Sequence, residues 1–364
     1  MKKPIIIKNK ISKFSKSIKV SGDKSISIRW ALLASQAIGK SKAYNILKSE
    51  DVLSTLKCLK KLGIKIKLKN EICEIDGNGL NSYNYKKNLV LNAGNSGTLG
   101  RLILGLLINS PKKIKLIGDK SLSKRDFSRV IEPLKKFGAT FYPNKKTNLP
   151  IIIRGTNYIR PIKYLENKGS AQCKSSVMLA ALNAPGKTII KAKKSRDHTE
   201  IFFKYLKVPI KIKKKKEHDL IEVYGKNQFK SFNYNIPSDV SSSAFFIVLT
   251  LLSKNSRLLI KSVNINPSRI GVIKILNKMG AKISFKNEKI YKGEKISDIF
   301  VKSANNLKSI NCPIKYNSSA IDEFLIIFLV AARAKGVSSF FNLEELNKKE
   351  SPRLKIGSKL LIKM

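Results

Sequence analysis

Two kinds of hydrophobic pattern alternate along this chain. In the first kind, a polar turn rich in Gly, Ser and Asn leads into a segment that is apolar nearly all round. Such segments follow turns that begin near residues 21, 94, 169, 238 and 317. A helix that is apolar on all sides is surrounded by other structure. The pattern therefore predicts buried helices, and parallel helices of this kind would bring several anion-attracting N-termini to one end of a domain.

In the second kind, an amphipathic helix ends at a Gly or Lys and an alternating strand follows. The four copies are Leu59-Lys-Lys-Leu-Gly63-Ile-Lys-Ile, Leu134-Lys-Lys-Phe-Gly138-Ala-Thr-Phe, Phe203-Lys-Tyr-Leu-Lys207-Val-Pro-Ile and Leu276-Asn-Lys-Met-Gly280-Ala-Lys-Ile. Their fifth positions are 63, 138, 207 and 280, so the steps are 75, 69 and 73 residues. A near-constant period of this length predicts a small α/β unit that is used several times. The Lys-rich strands of each unit would face water.

Composition limits the classes of protein to which the chain can belong. A chain of 364 residues with 42% hydrophobic residues predicts two domains with real cores. The net charge of +49 is typical of nucleic-acid binding, but the lysines are spread over nearly every segment and form no aromatic-rich basic module. The densest run, residues 211–216, indicates a solvated strand edge or turn. We attribute the lysine content to a codon-composition bias, and the charge would still draw in anionic small molecules.

Cysteines and apolar runs indicate a soluble cytoplasmic protein. Cys58, Cys73, Cys173 and Cys312 show no paired spacing, so we expect neither a zinc site nor a disulfide framework. The apolar run after Met1 is too short for a signal-peptide core. The longest apolar runs have the length of buried helices and do not span a bilayer. We therefore expect no membrane partner.

The stretch Ser21-Gly-Asp-Lys-Ser-Ile-Ser-Ile-Arg29 predicts a strand, a polar turn and a helix start. A free helix N-terminus attracts anions, Lys24 adds a mobile charge, and Arg29 adds a planar fork suited to a carboxylate or phosphate. An ordinary capped helix with solvated charges explains the stretch equally well. It is not a Walker A loop, because Asp23 rather than Gly precedes Lys24.

Seven motifs in order carry a family resemblance. They are Ser21-Gly-Asp-Lys-Ser-Ile-Ser-Ile-Arg29, Gly94-Asn-Ser-Gly-Thr-Leu-Gly-Arg101, Ser121-Leu-Ser-Lys-Arg125, Ser170-Ala-Gln-Cys-Lys174, Ser195-Arg-Asp-His-Thr-Glu200, Ile321-Asp-Glu323 and Lys349-Glu-Ser-Pro-Arg353. Together they resemble the EPSP synthase branch of the enolpyruvyl transferase family, over essentially the whole chain. The resemblance implies a two-domain inside-out α/β barrel, built from repeated βαβαββ units with buried parallel helices. A double crossover would join a lower domain, residues 1–22 with 238–364, to an upper domain, residues 23–237.

The implied reaction moves the enolpyruvyl group of phosphoenolpyruvate onto the 5-hydroxyl of shikimate 3-phosphate and releases phosphate. The two substrates bring two phosphates and two carboxylates together, so Arg, Lys and helix N-termini must supply the opposite charge. Protonation of the methylene and addition of the hydroxyl also need an acid and a base. No metal or organic cofactor is implied, and a monomer is the family expectation.

The resemblance assigns residues to three roles. Shikimate 3-phosphate would contact Lys24, Ser25, Arg29, Ser170, Gln172, Arg196, Asp322 and Lys349. Phosphoenolpyruvate would contact Lys24, Gly97, Arg125, Gln172 and Arg353. The catalytic groups would be Asp322, which takes the hydroxyl proton, Glu350, which serves proton transfer at the methylene, and Lys24.

Simpler explanations stand beside four of the seven motifs. Asp322 could be only the cap of an apolar helix. Residues 196–198 could form a solvated turn. Arg101 could close a local salt bridge, and Glu350-Ser-Pro-Arg353 could begin a helix with Pro at its first position.

The chain also departs from the family pattern. Asp126 replaces a Pro after Arg125, and Pro352 replaces an acid. The chain ends at Leu361-Ile-Lys-Met364, where the earlier copy continues with Gly280 and a strand. We therefore expect a C-terminally truncated product whose last unit is missing, with exposed apolar surface, a sheet short of strands and impaired phosphoenolpyruvate binding.

Three rival functions remain open at the level of the sequence. The sibling transferase that acts on UDP-N-acetylglucosamine usually carries a Cys in the loop matching residues 118–125, and none is present here. A basic RNA-binding relative without this activity is the second rival. A non-catalytic remnant that folds in its upper domain is the third.

Overall fold

The computed structural model describes residue 8, residues 11–349 and residues 351–363. Its strands are β1 (Ser15–Ile18), β2 (Ile38–Tyr44), β3 (Lys65–Lys69), β4 (Ile72–Asn78), β5 (Leu89–Asn92), β6 (Ile114–Ile117), β7 (Thr140–Tyr142), β8 (Ile151–Arg154), β9 (Lys163–Glu166), β10 (Lys187–Lys193), β11 (Ile210–Lys214), β12 (His218–Tyr224), β13 (Asn233–Asn235), β14 (Arg257–Asn264), β15 (Ile283–Tyr291) and β16 (Glu294–Lys302). Its α-helices are α1 (Lys24–Ala34), α2 (Glu50–Lys61), α3 (Gly97–Leu106), α4 (Ser128–Lys136), α5 (Ala171–Ala181), α6 (His198–Tyr205), α7 (Val240–Leu252), α8 (Gly271–Lys278), α9 (Phe324–Arg333) and α10 (Arg353–Ile362).

One sheet design recurs through the described part of the chain. The strand orders are β1-β14-β16-β15, β13-β2-β4-β3, β5-β6-β8-β7 and, read from the other edge, β9-β10-β12-β11. In each sheet the first two strands are parallel and the later pairs are antiparallel. This pairing is the βαβαββ unit, so the predicted fold class is confirmed.

The predicted helix ends are also confirmed. Helices α2, α4 and α8 stop two residues before Gly63, Gly138 and Gly280, whose φ angles are +89°, +110° and +93°. A left-handed residue at this position ends a helix, and Gly adopts it without a Cβ clash. The fourth copy follows α6 and places Lys207 at φ +56°, so here a side chain accepts the same conformation. The run at residues 211–216 lies on edge strand β11 and the turn after it, as predicted.

Two sheets take their first strand from a distant part of the chain. Strand β1 pairs with β14, and β13 pairs with β2. The chain then crosses over twice, from β1 into α1 and from β13 into α7. The two crossings lie side by side, because Gly22 bridges Ser238 and the Asp23 amide donates to the Pro237 carbonyl at 2.8 Å. The double crossover implied by the resemblance is therefore present.

The buried apolar side chains form two clusters. The large core contains residues between 26 and 236, and the small core contains Val20 and residues between 240 and 346. The division agrees in outline with the predicted domains, but boundaries at residues 22 and 237 stay a prediction.

The turn-entered helices differ in how deeply they lie. Helices α1, α3 and α5 are buried along most of their length, as predicted. Helices α7 and α9 of the small core instead present one apolar face to solvent, where Phe245 is 63% exposed and Leu325 is 38% exposed. Burial on all sides is therefore wrong for these two helices.

A buried ion cluster joins the two crossings. Asp23 caps α1 by accepting the Ile26 amide at 2.9 Å, and Asp239 caps α7 by accepting the Ser241 amide at 2.7 Å. Arg269 places Nη1 at 3.1 Å from Asp23 and Nη2 at 3.6 Å from Asp239. Although burial lowers the pKa of Arg269, the two carboxylates raise it above its usual value, so the guanidinium stays charged.

We predict that Arg269→Ala is strongly destabilising. Removing the cation leaves two buried carboxylates facing each other, and breaking a buried pair in this way costs about 3–5 kcal/mol. Urea unfolding followed by circular dichroism measures the change. The exposed Arg154→Ala is the matched control and should change the unfolding free energy by less than about 0.5 kcal/mol. Equal stability of both variants would show that the cluster does not hold the crossings.

Candidate active site

A cleft of about 2840 Å³ is lined by residues that flank both cores. Among the described lining residues, 17 are Lys or Arg and seven are Asp or Glu, so the cleft is suited to anionic ligands. One wall carries Arg125, Gln172 and Arg196, and the other carries Asn266 and Lys349. The predicted site residues thus come from both sides of the crossovers.

The start of α5 forms part of the cleft wall. Ser170 caps the helix by accepting the Cys173 amide at 3.3 Å, and Ser170 and Gln172 both line the cleft. Free amides and the positive end of the helix dipole therefore face the open space. This arrangement matches the anion-binding helix start that the pattern predicts.

Gly97 begins α3 beneath two guanidinium groups. A Cβ atom at this position would lie 2.8 Å from Arg101 Nη1 and 2.9 Å from Arg125 Nη1. Arg101 donates to Gln172 Oε1 at 3.0 Å and stacks over Phe127 at 4.8 Å from the ring centroid. The structure thus brings the predicted Gly97, Arg125 and Gln172 together, and it adds Arg101 to them.

Asp322 is the meeting point of three cations. Its Oδ2 accepts from Arg196 Nη2 at 2.5 Å, and its Oδ1 lies 3.2 Å from Arg353 Nη1. Lys349 Nζ is 3.9 Å from the same oxygen. Burial raises the pKa of Asp322, but Arg196 and Lys349 outweigh burial and hold the pKa far below its usual range. Four predicted residues thus meet at an ionised carboxylate.

Arg29 lies behind the cleft wall rather than on it. It is 4% exposed and donates to Thr199 Oγ1 at 2.8 Å and Ser175 Oγ at 3.1 Å. Burial lowers its pKa to about 10, so the side chain remains cationic at neutral pH. The predicted fork therefore donates to hydroxyl groups of α5 and α6.

The structure does not bring every predicted residue to the cleft wall. Lys24 is exposed and lies 3.6 Å from Asp51, and the Ser25 carbonyl accepts from Arg29 Nη1 at 3.1 Å. The predicted catalytic residue Glu350 lies outside the described residues. The cleft geometry therefore supports the assignments of Arg196, Asp322 and Lys349 more directly than that of Lys24.

The structure contradicts two of the simpler explanations and corrects a third. Helix α9 begins at Phe324 after Glu323, and Asp322 reaches cations instead, so the cap explanation is wrong. His198 is fully buried, so residues 196–198 are not a solvated turn. Helix α10 begins at Arg353, with Pro352 just before its first residue rather than at it.

Glu323, beside Asp322, is a buried carboxyl that sequence reasoning did not single out. It is 3% exposed, and Ser241 donates a short hydrogen bond to it. Burial and the neighbouring Asp322 charge raise the pKa of Glu323 to about 7, although Arg269 opposes the shift. Arg269 likewise has no local sequence signal, because its partners lie far away in the chain.

The described part of the chain contains no cluster of three or more His, Cys, Asp or Glu side chains able to hold a metal ion. None of its described helices has the length and apolar character needed to cross a membrane.

Known structures identify the class of fold. The enolpyruvyl transferase NikO from Streptomyces tendae superposes with a TM-score of 0.68 at 13% identity, covering 89% of this chain and 74% of that one. At this identity the likeness shows the fold alone. The fold is thus that of the enolpyruvyl transferases. EPSP synthase from Acinetobacter baumannii superposes with a TM-score of 0.84 at 35% identity, covering 95% of this chain and 78% of that one.

Sequence relatives narrow the class to one family. The family model described as EPSP synthase (3-phosphoshikimate 1-carboxyvinyltransferase) matches residues 8–364. The 3-phosphoshikimate 1-carboxyvinyltransferase of Ruthia magnifica is 43% identical over 93% of this chain and 77% of its own length. That of Petrotoga mobilis is 40% identical over 95% of this chain and 80% of its own length. The chain belongs to the EPSP synthase family.

We predict that Glu323→Gln becomes relatively more stable as pH rises. The native carboxyl holds its proton up to about pH 7, while the unfolded one loses it near 4.5, so the wild type loses stability between these values. The shift corresponds to about 3 kcal/mol, which the neutral amide avoids. Urea unfolding at pH 5 and pH 8 measures the difference. The exposed Glu288→Gln controls for loss of one negative charge, and a pH-independent difference for Glu323→Gln would refute the shift.

Proposed function

We propose that this chain transfers the enolpyruvyl group of phosphoenolpyruvate to the 5-hydroxyl of shikimate 3-phosphate and releases phosphate. Family membership supports the proposal. The observation that carries it is the ionised Asp322, held by Arg196, Arg353 and Lys349 beside a cationic cleft. A carboxylate surrounded by cations offers a base next to the counter-charge that doubly anionic substrates need.

The proposed shikimate 3-phosphate site surrounds the start of α5. Ser170, Gln172 and Arg196 lie on one wall and Lys349 on the other, so a ligand there would draw the walls together. Ser25 and Arg29 would add hydroxyl and charge from α1. Lys24 would have to leave Asp51 to reach either substrate.

The proposed phosphoenolpyruvate site lies at Gly97. The missing side chain there lets the guanidinium groups of Arg101 and Arg125 both approach the start of α3. Gln172 is fixed by Arg101 Nη1 and by Thr98 Oγ1, which its Nε2 reaches at 3.0 Å. Arg353 would approach from the other wall.

Asp322 needs the substrates before it can act as a base. Its low pKa makes it a weak base while Arg196 and Lys349 face it. Incoming phosphate and carboxylate groups compete for these cations, so binding would raise the pKa of Asp322 towards that of a useful base. Glu350 and Lys24 remain the proposed partners for proton transfer at the methylene.

The remaining proposals concern the protein as a whole. We propose a cytoplasmic monomer that works as two domains, residues 1–22 with 238–364 and residues 23–237. Closure of the cleft would keep water from the reaction intermediate. Nucleic acid and membrane are not proposed as partners.

The function is tested on the 364-residue chain by calorimetric titration and by detection of the enolpyruvyl product and phosphate. We expect shikimate 3-phosphate to bind and phosphoenolpyruvate to be converted in its presence. Product from UDP-N-acetylglucosamine would establish the sibling activity instead. Salt-dependent retention of RNA without any response to shikimate 3-phosphate would establish the binding-protein alternative.

The same assay tests whether Asp322 is the base. Asp322→Asn keeps the shape but loses the base, so we expect kcat to fall by about 10²–10⁴-fold. Binding of shikimate 3-phosphate should change by only a few-fold. Asp76→Asn on strand β4 is the control and should keep wild-type kcat. Wild-type turnover by Asp322→Asn would remove this residue from the mechanism.

We predict that Gly97→Ala weakens phosphoenolpyruvate use. The added methyl would approach the two guanidinium groups to below 3 Å, and flexible arginine ends would move away rather than unfold the helix. KM for phosphoenolpyruvate should rise about tenfold, because misplaced binding groups lose orientation. Gly100→Ala, whose methyl would lie 3.3 Å from the Phe127 ring and 3.7 Å from the Ala93 Cβ, is the control on the same helix. An unchanged KM would place the phosphoenolpyruvate site elsewhere.

A further inference from the structure

The tip of the β15–β16 hairpin docks on elements of the large core. Lys292 Nζ lies over the rings of Tyr205 and Tyr234, at 4.7 and 5.5 Å from their centroids. The Tyr291 hydroxyl accepts from the Asn235 amide at 2.8 Å. Cation–π contacts and a hydrogen bond thus fix the turn of a hairpin whose strands belong to the small-core sheet.

Glu294, the first residue after this turn, forms a buried polar pair with His198. Glu294 Oε1 accepts from His198 Nδ1 at 2.6 Å, and both side chains are fully buried. The second oxygen, Oε2, accepts from Asn264 at 3.0 Å and Asn266 at 3.2 Å. Burial raises the pKa of Glu294, but His198 and the two amides outweigh it and lower the pKa, so Glu294 is a carboxylate.

The network reaches the residue next to Arg196. Asn266 Nδ2 donates to Asp197 Oδ1 at 2.8 Å as well as to Glu294. Residues 197 and 198 are therefore both bound to groups on the small-core side. Arg196 directly precedes them and extends its guanidinium to Asp322 at 2.5 Å.

We propose that His198, Glu294 and Asn266 form a positioning clamp that sets Arg196 for binding shikimate 3-phosphate. The ligand assigned to Arg196 rests on the proposed function. The clamp holds the backbone from which the guanidinium projects, so Arg196 meets the cleft in one orientation. His198 touches no reacting atom in this scheme, and it acts through Arg196.

A purely structural role would predict something different. A buried pair that only supports packing would change the unfolding free energy and leave substrate affinity unchanged in the folded fraction. A positioning role couples His198 to Arg196, so the effects of changing the two residues on shikimate 3-phosphate binding are not additive. The hydrogen-bond donor at Nδ1 is the feature that matters, because His198 Nε2 has no hydrogen-bond partner among the residues described.

Two variants test whether the hydrogen-bond donor at His198 Nδ1, rather than the imidazole ring itself, is required. His198→Asn places an amide nitrogen near the position of Nδ1 and keeps a donor for Glu294, whereas His198→Leu removes the donor. Titration calorimetry with shikimate 3-phosphate should show about tenfold weaker binding for His198→Leu and binding within about threefold of wild type for His198→Asn. In an Arg196→Ala background, His198→Leu should cause no further loss. Circular dichroism at the titration temperature confirms that each variant is folded.

The possible outcomes test the proposed clamp and the proposed function separately. A wild-type chain that does not bind shikimate 3-phosphate overturns the proposed function, and the clamp with it. Normal binding by folded His198→Leu, or additive losses in the Arg196→Ala background, overturns the clamp and leaves the function standing. If His198→Leu does not fold, Asn266→Ala takes its place in the same cycle, since it removes the bond to Asp197 and one of the bonds to Glu294.

Discussion

The fold depends on the charge balance where the chain crosses twice between its two cores. Each crossing ends in an aspartate that caps the next helix, Asp23 for α1 and Asp239 for α7. Acidic caps favour helix starts, but two of them side by side repel. Arg269 lies against both and neutralises that repulsion. Because α1 and α7 start from this one cluster, the cluster sets how the two cores meet and hence the shape of the cleft.

Part of the excess positive charge of the chain is held in defined positions at Asp322, beside the cleft. Spread lysines produce the net charge of +49, yet the cations at Asp322 are held by defined contacts at 2.5, 3.2 and 3.9 Å. Cations gathered around one carboxylate repel each other, and anionic substrates would relieve that repulsion. The local arrangement, rather than the overall charge, therefore makes this cleft suited to small anions.

Local signals allowed much of the fold to be predicted. The residues at 63, 138, 207 and 280 marked four helix ends, and all of them adopt the left-handed conformation. The resemblance carried by the ordered motifs allowed the crossover and some of the cleft residues, among them Gln172, Arg196 and Lys349, to be predicted. The surrounding polar contacts could not be predicted, because their partners are far apart in sequence: Asp23 and Arg269 are 246 residues apart, and His198 and Glu294 are 96 apart. For Asp322 the local pattern alone suggested a cap, and only the structure shows the cations that face it.

The contacts between the cores also decide which cleft residues can move. The crossings at residues 22 and 238 and the hairpin tip at residues 291–294 tie the two sides together. Any rotation of one core against the other must pivot near these ties, since displacement grows with distance from a fixed point. Arg196 lies two residues from His198 and so stays near the pivot. Residues of the cleft wall that lie farther from these ties would be displaced more by such a rotation.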